Sequence, residues 1–89
     1  MSFSIAETET FRKRIGRPEL KRLYPKIHDY VYPILRRNPF FGPNIKRLKG
    51  RYSEFYRYRV GQHRLFYKIS PEKVVVYVID IRHRGRAYE

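Results

Sequence analysis

The segments FYRYRV at 55–60, HRLFYKI at 63–69 and VVVYVIDI at 74–81 follow one another, each rich in aromatic and β-branched residues. Turn chemistry separates them: Gly61-Gln62 between the first pair, Ser70-Pro71-Glu72-Lys73 between the second. Such side chains fit a pleated sheet, and the punctuation predicts a three-strand meander. Gly61-Gln62 suits a two-residue hairpin loop with glycine at its first position. That turn sets the register, pairing Val60 with His63, Arg59 with Arg64 and Arg57 with Phe66. Arg57, Arg59 and Arg64 then share one face. Like charges directly opposed on a hairpin cost about 0.2–1 kcal/mol, so a fold selected for stability alone would avoid them unless an anion sits between.

Upstream, FSIAE at 3–7 alternates like a short strand, and Thr8 with Glu9 in the first turn caps a helix carrying Phe11 and Ile15. That helix either ends at Gly16 or resumes at Pro18 through Leu20 and Leu23. Tyr24-Pro25 starts a second amphipathic helix, with Ile27, Tyr30, Val31, Ile34 and Leu35 at three- and four-residue spacing. Pro33 implies a kink or one lost hydrogen bond, and Asn38-Pro39 ends the helix. FFGPNIKRLKGR at 40–51 reads as a basic exposed loop, with a turn of helix or a short strand around Ile45 to Leu48. The expected fold is α+β, in the order β-α-α-β-β-β, an antiparallel sheet with two helices packed on one face. The last strand, apolar on both faces, is expected centrally with the N-terminal strand beside it, leaving 55–60 on an edge.

The 89 residues suit one domain spanning 1–89, and 42% hydrophobic content supports a single modest core. There is no cysteine, so no disulfide framework, thiolate metal site or thiol nucleophile is possible. No apolar run approaches the roughly 18 residues of a membrane span. The opening MSFSIAETETF lacks the basic and apolar regions of an export signal, so the expected location is the cytoplasm.

Charge says more than size. Lys and Arg number 21 against 8 acids, a net charge of +13. Solubility needs about half of that, so a polyanionic partner is implied, with nucleic acid leading. Fourteen of the basic residues are arginine, whose planar fork of donors suits phosphate. The segment RHRGRAYE at 82–89 interleaves guanidinium groups with an aromatic ring, a composition suited to gripping single-stranded RNA.

Three ordered motifs, IKRLKG at 45–50, YRYRVGQHRLFY at 56–67 and VVVYVIDIRHRGRAY at 74–88, resemble the RelE group of the RelE/ParE toxin superfamily. The resemblance implies the toxin of a type II toxin–antitoxin pair that cleaves mRNA, often in the ribosomal A site, and that binds an acidic cognate antitoxin. Carried over motif by motif, Arg64 and Arg84 match the family's phosphate-binding arginines and Tyr88 the tyrosine that closes the motif. Arg57 and Arg59 stand where the best-known members have lysines. This is a departure, because arginine with a pKa above about 12 cannot donate the leaving-group proton.

Metal-free RNA cleavage uses a 2′-hydroxyl as nucleophile, with a base and cations around the phosphate. Arg59, Arg64 and Arg84 supply cations. Tyr88 is the family-matched base, with His83 and then His63 as alternatives. Arg57, Lys46, Arg47, Lys49, Arg51, Arg82 and Arg86 are the expected RNA-binding residues. No cofactor is expected, and the acids in the sheet region lack the ligand spacing of a metal nuclease, Asp80 being expected to pair with a nearby arginine. Two other functions share these features: a ParE-like toxin that inhibits DNA gyrase without catalysis, and a non-catalytic RNA-binding protein.

Overall fold

A two-residue turn at Gly61-Gln62 aligns the hairpin as its chemistry requires. Gly61 adopts φ 58°, a left-handed conformation that glycine takes without strain. The computed structural model describes residues 2–86. We label the strands β1 (Ser4–Glu7), β2 (Ile45–Arg47), β3 (Tyr56–Val60), β4 (His63–Ser70) and β5 (Val75–His83). Helix α1 spans Glu9–Ile15, a 3₁₀ turn covers Lys21–Leu23, and a helical run over 24–37 forms α2. Among the described residues the sheet has the order β1-β5-β4-β3-β2.

The hairpin register is the expected one, with Arg59 opposite Arg64 and Val60 opposite His63. β5 lies between β1 and β4, also as expected. Two expectations about the sheet are corrected. It is mixed, because β1 runs parallel to β5, with Ser4 opposite Val75 and Glu7 opposite Val78. Thr8 sets that direction: its N–H donates to the Val78 carbonyl at 3.0 Å, and its Oγ1 lies 2.9 and 3.0 Å from the carbonyl oxygens of Val78 and Ile79. The same Oγ1 accepts from the Phe11 N–H at 3.2 Å, so one side chain caps α1 and anchors it on β5. Nor is β3 an edge strand. β2 pairs with it, Lys46 opposite Arg57, and thereby covers its backbone donors and acceptors.

α2 contains a π segment at Ile27–Val31, in which the Tyr32 N–H reaches back five residues to the Ile27 carbonyl. Pro33 follows immediately. A wider turn accommodates the pyrrolidine ring, which in a regular helix would meet the carbonyl four residues back. The extra residue rotates the apolar stripe. Tyr32 is buried at 2% exposure, whereas Tyr30, expected on the stripe, is 70% exposed.

One cluster forms the core. Phe11, Ile15, Leu20, Ile27, Val31, Tyr32 and Leu35 from the helical layer meet Tyr58, Val60, Leu65, Tyr67, Val76, Val78 and Ile81 from one sheet face. Opposite Phe66, β5 carries a bulge at Ile79, so that Val78 and Ile81, three residues apart, both face the core. Val74 has φ 56°, a costly conformation for a β-branched residue, where its carbonyl accepts from the Ser4 N–H at 2.9 Å.

Buried and half-buried phenols tie the layers together. Glu7 Oε2 accepts from Tyr24 at 2.8 Å and from Tyr32 at 2.7 Å, while the Tyr67 hydroxyl donates to the Pro39 carbonyl at 2.8 Å. Burial raises all three pKa values above the ordinary 10.0, and for Tyr24 and Tyr32 donation to Glu7 adds to it. The unfolded chain therefore releases these protons first, so their contribution to stability is complete below about pH 10 and is lost above it. Tm is expected to fall steeply above that pH, with Tyr32→Phe flattening part of the slope. A Tm unchanged up to pH 11 would contradict this.

Candidate functional site

Alternation along β3 buries Tyr58 and Val60 in the core and turns Arg57 and Arg59 to the opposite sheet face. On β4, Arg64 lies opposite Arg59 on one side and opposite Arg82 of β5 on the other. Arg59, Arg64 and Arg82 therefore form one row across three strands. Three guanidinium groups in one row can together accept an anion. The neighbouring row runs Lys46, Arg57, Phe66 and Asp80. Phe66 is 7% exposed but lies outside the core cluster, giving this face a buried ring between its charges.

Asp80 organises the end of the arginine row. Its Oδ1 accepts from Arg14 Nε of α1 at 2.6 Å and from the Ile81 N–H at 2.8 Å, and its Oδ2 accepts from Arg82 Nε at 3.1 Å. The expected pairing of Asp80 with arginine is thus present twice over. Both guanidinium groups keep access to water, which moderates the energetics. Asp80→Ala is expected to cost about 2 kcal/mol, on the order of 10 °C in Tm, by orphaning three donors. A Tm within about 2 °C of wild type would show that water replaces the carboxylate.

The expected site residues divide. Arg57 Nη1 donates to the Asn44 carbonyl at 2.8 Å, drawing its guanidinium toward β2. Lys46 is exposed in the same row. Arg47 lies on the other side of the pleat, opposite Tyr56, and donates to the Ser53 carbonyl at 2.9 Å, so it does not join the Arg64 face. Arg51 packs over the Tyr52 ring at 5.1 Å, and Lys49 is exposed before the 3₁₀ turn Gly50–Tyr52. Arg84 follows β5 in a 3₁₀ turn, Arg84–Arg86, and its N–H donates to the Gln62 carbonyl at 2.9 Å. This bond brings the exposed Arg84 to the hairpin end that carries Arg59 and Arg64. Tyr88 lies outside the described residues.

His83 departs from expectation. It pairs with His63, in a row whose next member is the buried Val60, so the pleat separates both imidazoles from Arg64 and Arg82. Their rings meet edge to face with centroids 5.4 Å apart, and His83 Nδ1 accepts from the Gly85 N–H at 3.3 Å. Burial, together with the neighbouring His83 and Arg22, holds His63 below the ordinary imidazole value. The sequence predicts Arg82 only as a general RNA-binding residue. Its place in the row depends on the β4–β5 register across a longer loop and a bulge, for which the sequence carries no local signal.

Among the described residues no three of His, Asp and Glu gather as metal ligands, and no helix is long and apolar enough to cross a membrane. Among curated proteins, no sequence matches the chain. The fold is similar to the toxin–antitoxin complex RelBE2 from Mycobacterium tuberculosis, with 23% identity, TM-score 0.78, and 96% and 94% of the two chains covered. It is also similar to the YoeB/ParE toxin from Agrobacterium tumefaciens at 24% identity, TM-score 0.71, covering 91% and 98%. The archaeal RelE–RelB complex from Pyrococcus horikoshii aligns at 22% identity, TM-score 0.67, covering 98% and 100%. Residues 10–88 match the family of ParE toxins of type II toxin–antitoxin systems. With that match spanning nearly the whole sequence on this sheet and helix arrangement, the chain belongs to the ParE toxin family, within the RelE/ParE superfamily of type II toxin–antitoxin toxins.

Proposed function

We propose that this toxin inhibits translation in the cytoplasm by cutting mRNA, in keeping with the resemblance to the RelE group, and that an acidic antitoxin restrains it. The observation that carries this reading is the row of Arg59, Arg64 and Arg82, with Arg84 beside the hairpin. Guanidinium groups on one row offer planar forks of donors to the oxygens of a pentacoordinate phosphate, where charge develops in the reaction. The 2′-oxygen loses its proton to a base, for which the resemblance offers Tyr88, and attacks the adjacent phosphorus. The bond to the 5′-oxygen breaks, leaving a 2′,3′-cyclic phosphate. Arginine is a poor proton donor, so in this reading the departing oxygen takes its proton from solvent.

Incubation with a translating extract and mapping of mRNA ends tests the proposal. Purified toxin is expected to yield 2′,3′-cyclic phosphate or 3′-phosphate ends, unaffected by EDTA in a ribosome-free assay. Activity lost in EDTA and restored by magnesium would overturn it. The match to the ParE toxin family favours a second reading, inhibition of DNA gyrase without catalysis. Intact mRNA alongside blocked gyrase supercoiling would decide for that reading.

A further inference from the structure

An open cleft of about 690 Å³ lies where α1 and the 3₁₀ turn after it meet the C-terminal end of β5. It is formed where β1 stops pairing at Val78, leaving the last residues of β5 without a strand neighbour on that side among the described residues. Arg14 of α1, Arg17 beyond it, Arg22 of the 3₁₀ turn and Arg82 of β5 line the cleft, together with His63 and His83. Glu19 is the one carboxylate among the described lining residues. Asp80 occupies Arg14 and Arg82, but among the described residues neither Arg17 nor Arg22 joins an ion pair. A concave wall with this excess of guanidinium groups is an anion site.

Arg82 belongs both to this cleft and to the row with Arg64. We infer that the cleft is a second phosphate site, holding the sugar–phosphate backbone of a single RNA strand that continues round the edge of β5 from the Arg59–Arg64–Arg82 row. The inference rests on the reading of that row as the place of an RNA phosphate. A polymer with a phosphate at every nucleotide engages both surfaces at once, whereas a single small anion fills one. An acidic protein helix fits less well. The apolar side chains among the described lining residues, Leu20 and Ile81, are 8% and 0% exposed, so neither presents itself to the apolar anchors that protein interfaces require.

The test is fluorescence anisotropy with the full chain and a labelled 2′-O-methyl RNA oligonucleotide, titrated over a range of salt. The R17Q/R22Q double variant changes two exposed side chains. R37Q/K73Q removes the same charge from exposed positions toward the other end of β5. The cleft variant is expected to bind about tenfold more weakly than the control, with its logarithmic salt slope shallower by about 0.7 for each phosphate that it no longer neutralises. Equal affinity and equal slope in the two variants overturn the inference. So does a cleft variant that keeps its RNA affinity but loses affinity for polyglutamate, which would mark a protein-docking surface. Because the probe has no free 2′-hydroxyl, binding is read without cleavage. A wild type that shows this cleft dependence but leaves natural mRNA intact overturns the proposed activity and not the cleft.

Discussion

Arg64→Ala is expected to slow single-turnover mRNA cleavage about a hundredfold or more, equivalent to about 2.7 kcal/mol of lost transition-state stabilisation. Arg64 is the central member of its row, flanked by Arg59 and Arg82, and is half-buried, whereas Arg59 is exposed. A cation held among others with restricted access to water acts at lower effective dielectric than an exposed one. Arg84→Ala should lose activity on the same scale, since Arg84 is tethered to the hairpin end through the Gln62 carbonyl. A circular dichroism melt of each variant separates a catalytic loss from unfolding. Full single-turnover activity in both variants would move the active site away from this face.

Phe11→Ala is expected to lower the free energy of unfolding by about 3–5 kcal/mol, a large share of the roughly 5–15 kcal/mol typical of a small domain. Phe11 is 0% exposed, packs near Tyr24 with ring centroids 6.5 Å apart, and sits one turn beyond the Thr8 cap. Truncation opens a cavity between α1 and the sheet at the junction that keeps Arg14 on Asp80. Urea unfolding at constant m-value measures the loss. A change below about 1 kcal/mol would mean that α1 collapses onto the space, and that its position is set by Thr8 and Asp80 instead.

Local chemistry made much of the fold legible. Thr8 with Glu9 marked the start of α1, aromatic and β-branched runs marked β3, β4 and β5, and Gly61-Gln62 dictated the pairing that sets Arg59 against Arg64. In each case the deciding interaction lies within a few residues, where the sequence states it directly. The sharing of a face by Arg57, Arg59 and Arg64 follows from that turn and the two-residue period of a strand.

What tertiary structure decided depends on partners far apart in the chain. β1 lies parallel to β5 because Thr8 binds carbonyls some 70 residues away, and no turn joins those two strands to record their direction. β2 becomes a strand because β3 offers it an unpaired edge, although its three residues are too few to carry a pattern. The π segment moves Tyr32 inward and Tyr30 outward through a one-residue shift that a regular helical period cannot express. The Ile79 bulge settles how β4 meets β5 and brings Arg82 into the row. The sequence by itself determined the elements, the net charge and the hairpin that opposes Arg59 and Arg64, because backbone preference and strand alternation act over short range. Packing alone decided that the arginine row continues to Arg82 and that His83 turns away from it, because long-range pairing and a bulge select which side of the pleat each side chain takes.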